Sequence, residues 1–406
     1  MISNTIKIGV VYLFVCITTT IKTTAQINKN IDKTLSVLDY NKLLYAKEHK
    51  NSMQFSAAYQ NLISDADKAL QEGPFSVMEK TQTPPSGSKH DYISIGPYWW
   101  PDPTKPDGLP WIRRDGEINP LTREGSTDYE IKNKMFHNTQ TLAMAYFFSD
   151  NKQYATKAIE LLKVWFLNED TKMNPNLDFA QGIPGKNTGR GIGIIEFAGI
   201  SNMITAIEIL ELNNKMDVKT SKELRLWFSE YLNWLQTSEN GVFEKNTKNN
   251  HATHYDIQIV SILLFLNKEN EAKEVLEAAK TLRIVTQIQP NGEQLHELAR
   301  TKALSYSTMN LEGFTKLAFL GTKVHVDLWN YEAENGASII KAYEFLKPYA
   351  EGKKEWNFKQ IASVSKAQHK LKELFVKAGS QFNIEAYCKI GSKEDNKASS
   401  LLYYCN

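Results

Sequence analysis

The run Tyr129–Phe148, YEIKNKMFHNTQTLAMAYFF, followed after Ser149-Asp150-Asn151 by Gln153–Phe166, QYATKAIELLKVWF, decides the fold class. Apolar residues recur at helical spacing in both halves, and the small polar residues between them stop one helix and start the next. The same hairpin pattern returns in Ile194–Leu212 with Ser221–Leu235, in Thr253–Leu266 with Asn270–Leu282, and in Leu295–Leu320 with Leu328–Leu346. Asp39–Glu72 adds helical spacing before the first pair, and Ser363–Lys377 predicts a closing helix after the last. No convincing run of alternating strands is present. Successive antiparallel hairpins predict an all-α chain arranged as an incomplete (α/α)n toroid with long Pro/Gly-rich loops. A regular solenoid fits less well, because no fixed sequence period is evident.

The chain has 406 residues, with 48 Lys and Arg against 46 Asp and Glu. So small a positive excess argues against a dedicated nucleic-acid binder, which needs a dense basic stripe to neutralise phosphates. The content of 42% hydrophobic and 23% charged residues excludes a polytopic membrane protein or a mostly disordered chain. Residues 1–25 read as a cleavable signal peptide: Lys7, an apolar stretch within Ile8–Ile21, and the small-residue site Thr23-Thr24-Ala25. An N-terminal membrane anchor is the competing reading of that segment. Cleavage predicts a periplasmic or secreted chain, free of the membrane and monomeric, with residues 26–406 as one domain and a closing helix and tail in 352–406. Cys388 and Cys405 are then the two cysteines left, and an oxidising compartment permits a disulfide between them.

Three segments break the helical rhythm: Thr81–Arg123, Asn174–Gly193 and Asn240–Asn250. Long ordered loops tend to be functional. The third leads into Asn249-Asn250-His251-Ala252-Thr253-His254-Tyr255, where Asn249 or Asn250 is expected to cap a helix. Two imidazoles, a phenol and the amides are more polar machinery than a cap requires. Downstream, Arg300 and Tyr306 stand six apart, about 240° around an unbroken helix, so facing one site requires a bend or a helix start between them.

These segments resemble the alginate lyase family of polysaccharide lyases. The resemblance is carried by DYISIGPYWWPDP and KPDGLPWIRRDGEINP in the first loop, TKMNPNLDFAQGIPG in the second, then NNHATHYD and ELARTKALSY with NLEG, spanning Asp91–Gly313. It implies an α/α toroid that cleaves 4-linked uronic-acid polymers by β-elimination, with an active centre matching Asn250, His251, Arg300 and Tyr306. The chain differs from typical periplasmic mannuronate lyases in having Ala252-Thr253-His254 where they carry an aromatic pair, and in an Arg-to-Tyr spacing one residue shorter.

The chemistry accounts for such a set. Removing the C5 proton beside a carboxylate builds negative charge, which an amide or a cation facing that carboxylate stabilises; Asn250 and Arg300 suit this. A base must take the proton and an acid must protonate the leaving C4 oxygen. Tyr306 could do both where the two groups share a ring face, with Arg300 lowering its pKa; His251 as base with Tyr306 as acid would serve where they do not. Tyr98, Trp99 and Trp100 are candidate sugar platforms, with anchoring into the core as the alternative. Arg113, Arg114, Gln181, Arg190 and His254 are candidate contacts to sugar carboxylates or hydroxyls. No cofactor and no metal are expected; His251 and His254 with Asp256 or His296 match no recognised zinc motif. Two other readings stay open: a glycoside hydrolase using carboxylates such as Asp178, Glu196, Asp256 or Glu297, and a non-catalytic binder of acidic polysaccharide.

Overall fold

Asp39, Asn151, Asp217, Ser238, Asn249, Ser338 and Ser363 each accept a backbone N–H two or three residues ahead, and a helix begins after every one. The computed structural model describes residues 34–391 and 397–405. The signal-peptide reading of residues 1–25 lies outside them. The helices in chain order are α1 Tyr40–Glu48, α2 Ser56–Leu70, α3 Tyr129–Ser149, α4 Lys152–Phe166, α5 Ile200–Leu212, α6 Val218–Thr237, α7 Glu239–Lys245 and α8 Asn250–Phe265. They continue with α9 Glu269–Ala279, α10 Val285–Gln287, α11 Leu295–Leu298, α12 Ala303–Thr322, α13 Ile339–Ala350, α14 Val364–Phe382 and α15 Glu385–Cys388.

Two layers follow from how each helix distributes its apolar residues. Most residues of α3, α5, α8 and α12 are buried, so these helices need neighbours on nearly every side. They pack in sequence, α3 on α5, α5 on α8 and α8 on α12. The helices α4, α6 and α9 carry one buried stripe each and lie against that inner row. Aromatic rings fill the seam: Phe166 meets Trp227 edge-on at 4.6 Å between centroids, and Trp227 stacks on Tyr231 at 5.5 Å. Much of the aromatic content therefore serves the core. At the other end α12 packs against α13 and α14, and the predicted closing helix is α14. Cys388 and Cys405 form a disulfide that fastens the tail beyond α14.

Four expectations need correction, the first being Leu328–Leu346, of which only the part from Ile339 onward is helical, within α13. Leu295–Leu320 is not one helix: α11 ends at Leu298 and α12 begins at Ala303, with the backbone between them diverted by Asp115 and Gln360, which accept from the amides of Thr301 and Leu304. Asn240–Asn250 is not wholly a loop, because Ser238 caps the short helix α7. The long loops also hold four short strands, β1 Ile93–Ile95, β2 Trp99–Trp100, β3 Ile112–Arg113 and β4 Phe179–Gly182. β1 pairs in parallel with β4, and β2 antiparallel with β3 with Trp99 opposite Arg113. Two- to four-residue strands leave no periodic signal to read.

Candidate active site

The loop strands place the site. Pairing of β1 with β4 ties the first long segment to the second, and Asp115 ties the first to the α11–α12 junction. The Asp115 carboxylate takes Arg300 Nη2 at 2.7 Å and Nε at 3.1 Å, Arg113 Nη2 at 2.7 Å, and the Thr301 amide and hydroxyl at 3.3 and 3.0 Å. These donors hold its acid well below the ordinary carboxylate range despite the opposing effect of burial. Gly116 makes the approach possible: its φ is +79°, and a Cβ there would collide with the Thr301 hydroxyl.

Arg300 and Tyr306 do meet, because α12 starts between them. The Arg300 guanidinium carbon lies 4.0 Å from the centroid of the Tyr306 ring. The Tyr306 hydroxyl is 2.6 Å from that of Tyr98, which arrives on the first loop. Arg300 does act to lower the phenol's pKa, as expected, but it is outweighed. Burial first, and then the Tyr98 hydroxyl, push Tyr306 well above its ordinary value, and the Arg300 charge only moderates the rise.

At the start of α8, Asn249 is the cap, accepting from the His251 amide at 3.3 Å. That leaves the Asn250 side chain for other work. Asn250 is fully buried; its Nδ2 lies 2.9 and 2.8 Å from the two oxygens of Glu297, and its backbone N–H donates to the same carboxylate at 2.7 Å. Its Oδ1 is buried without a hydrogen-bond partner. His251 Nδ1 lies 2.7 Å from Oε1 of Glu244, a fully buried carboxylate on α7. An ionised Glu244 makes Nδ1 the protonated nitrogen and leaves Nε2 as the lone-pair donor. Burial raises the Glu297 pKa, while the Asn250 bonds and the charges of Arg300 and His251 oppose it. Glu297 is thus the electrostatic link between the Asn250–His251 corner and the Arg300–Tyr306 pair.

The remaining candidates occupy different places. Arg190 is held by the Gln181 carbonyl at 2.9 Å and its side-chain oxygen at 3.0 Å, so Gln181, at φ +50°, orients Arg190. Trp99 is half-buried with Lys186 Nζ 4.5 Å and Arg190 5.8 Å from its ring; Trp100 bonds the Glu117 carbonyl and carries Arg114 at 5.0 Å. Arg113 and Arg114 are exposed. His254 sits one turn below His251 beside Gly313 of α12, and burial lowers its pKa to about 4. Among the carboxylates weighed for hydrolysis, Asp256 pairs with Arg283 at 2.8 Å, Glu196 accepts from Tyr92 and Ser94 at 2.8 and 2.6 Å, Asp178 accepts from Trp234 at 3.0 Å, and Glu297 holds Asn250. Among the described residues, no group of three or more His, Cys, Asp or Glu is placed to hold a metal ion.

Sequence reasoning missed Glu244 and Asp115. Both stand in segments read as loops, and neither has a local motif that announces a partner 7 or 185 positions away.

With this geometry in view, the family model described as alginate lyase matches residues 76–356, overlapping all of Asp91–Gly313 and extending beyond both ends. The crystal structure of an alginate lyase from Bacteroides ovatus is 37% identical, with a TM-score of 0.88, covering 92% of this chain and 100% of that one. The alginate lyase A1-III from Sphingomonas species A1 is 14% identical, with a TM-score of 0.52 over 86% of this chain and 96% of its own, and shares the fold. A variant of A1-III complexed with tetrasaccharide is 16% identical, with a TM-score of 0.56 over 86% and 96%. No curated protein sequence matches the chain.

Proposed function

Because the chain belongs to the alginate lyase family and is a polysaccharide lyase, we propose that it cleaves the 4-linked uronides of alginate by β-elimination at the corner where α8 meets the α11–α12 junction. We infer further that the inner helix row and its outer cover form the incomplete toroid. The observation that carries the mechanism is the contrast between His251, backed by a buried carboxylate, and Tyr306, whose proton is retained by burial.

A phenol that keeps its proton enters the reaction as an acid, and an imidazole with Nδ1 bound to a carboxylate enters as a base. His251 Nε2 takes the C5 proton, the electron pair forms the C4–C5 double bond, the C4–oxygen bond breaks, and Tyr306 protonates the departing oxygen. After product release solvent takes the proton from His251 and returns one to Tyr306, for which the Tyr98 hydroxyl at 2.6 Å can serve as a relay. Asn250, closed to solvent with Nδ2 on both Glu297 oxygens, would meet the substrate carboxylate only on displacing Glu297 from its amide. Arg300, its charge largely matched by Asp115, chiefly holds the phenol ring in place. Trp99, Trp100, Arg113, Arg114 and Arg190 are suited to flanking sugars.

The Cys388–Cys405 disulfide supports export to an oxidising compartment, the periplasm or the exterior. Incubation with polymannuronate, polyguluronate and glucuronan, followed by ultraviolet absorbance of the conjugated product, tests the reading. Absorbance should grow with alginate blocks. Reducing ends without it would replace elimination by hydrolysis, and neither signal would leave a binder.

A further inference from the structure

A recess of about 770 Å³ adjoins the catalytic corner, with Ile192, Val242 and Phe243 on its apolar side and Asn246, Lys248 and His296 among its polar lining. Its volume is that of a small-ligand site. Three chain neighbours join it to the groups already described: Ile192 lies two residues after Arg190, Lys248 precedes the Asn249 cap, and His296 precedes Glu297. The proposed mechanism uses none of its side chains.

Phe243 is 56% exposed and Val242 45%, on the outer face of the short helix α7, whose buried residues are Gly241 and Glu244. Phe243 is nonetheless fixed in position. Gly191 lies against it so closely that a Cβ there would stand 2.7 Å from Cδ1 of the ring and 2.6 Å from the Asn240 carbonyl. An exposed phenyl ring in a recess that also presents an amide and an ammonium is the chemistry that recognises a pyranose carrying a carboxylate: the apolar sugar face stacks, and the polar lining takes hydroxyls and charge. A polymer longer than the two rings at the broken bond must continue along the surface.

We propose that this recess is a distal subsite that seats a uronate ring of the same polymer strand, outside the two rings flanking the cleaved bond, with Phe243 as platform and Lys248 as carboxylate partner. Glu239, the single carboxylate on its wall, limits the affinity for so acidic a ligand. The inference rests on the reading that a polyuronate occupies the catalytic corner.

The test compares wild type with Phe243→Ala, Phe243→Trp, Lys248→Ala and Glu239→Gln, using kcat/KM on high-molecular-weight alginate and on the shortest oligomer the wild type cleaves, together with direct binding of alginate by affinity electrophoresis. Phe243→Ala should lower kcat/KM on the polymer roughly tenfold through KM, while the short oligomer is cleaved as by wild type. Phe243→Trp should restore polymer turnover, Lys248→Ala should weaken polymer binding most at low salt, and Glu239→Gln should tighten it. Equal losses on polymer and oligomer, or no loss on either, would overturn the subsite while leaving the lyase reading intact. Alginate binding without any unsaturated product would overturn the lyase reading, with Phe243→Ala binding still deciding the subsite. No alginate binding by wild type would overturn both.

Discussion

Oε1 of Glu244, on α7, stands 2.7 Å from Nδ1 of His251, on the first turn of α8, and the Glu244 side chain has no exposure to solvent. A carboxylate so placed selects the imidazole tautomer and fixes the ring plane, leaving the lone pair on Nε2. Glu244→Gln preserves size but can present an N–H to Nδ1 and so favour the opposite tautomer. The expected outcome is a fall in kcat of about 10- to 100-fold with little change in KM, measured by the rate of ultraviolet absorbance on alginate, while circular dichroism stays that of wild type.

The hydroxyls of Tyr98 and Tyr306 are 2.6 Å apart. Tyr306→Phe should lower kcat by roughly 10²- to 10⁴-fold, the range for loss of a general acid, with polymer binding kept. Tyr98→Phe keeps the acid and removes its partner, so its loss should be smaller. Steady-state kinetics on both variants decide the order; a greater loss in Tyr98→Phe would move the acid role to Tyr98.

Asp115 joins the first long loop to Arg300 and Thr301. Asp115→Ala leaves a half-buried guanidinium without its carboxylate and should lower kcat/KM while raising the protease sensitivity of residues 81–123. The Asp115 carboxyl is held below its unfolded value, so its contribution to stability is complete above about pH 4. That contribution is lost as pH falls further, and the wild-type loop should become protease-sensitive only in strong acid. Limited proteolysis across pH 2–8 measures both.

Glu208 behaves in the opposite sense. It is buried against the amide and hydroxyl of Ser36, and burial raises its pKa to about 7. A carboxyl raised on folding stabilises most fully below its unfolded pKa of about 4 and loses that contribution as pH rises through 7. The wild-type Tm should therefore decline between pH 5 and 8. Glu208→Gln should flatten that part of the profile in a calorimetric pH series.

Cys388 and Cys405 are separated by 17 positions, and closing a loop of that size is worth about 3 kcal/mol on a chain-entropy account. Cys388→Ser, or reduction of the wild type, should lower the Tm without changing kcat, because the bridge lies on the tail and the proposed catalytic groups His251 and Tyr306 lie on α8 and α12. Differential scanning calorimetry with and without reductant checks it.

What the sequence by itself determined is whatever neighbours along the chain decide. The 3.6-residue period of Tyr129–Phe148 and the cap at Asn151 give the α3–α4 hairpin, because helix hydrogen bonds close over four residues. The run Asn249-Asn250 likewise signals a helix start, although only the structure chooses Asn249 as the cap and so puts Asn250 and His251 in the first turn of α8. The tertiary structure decided the rest. Arg300 and Tyr306 share a face only because Asp115 and Gln360 interrupt the helix between them, and Tyr98 reaches Tyr306 across 208 positions because β1 and β4 fix its loop. Such pairings depend on which buried donor finds which acceptor once the layers have packed, and no local spacing records that choice.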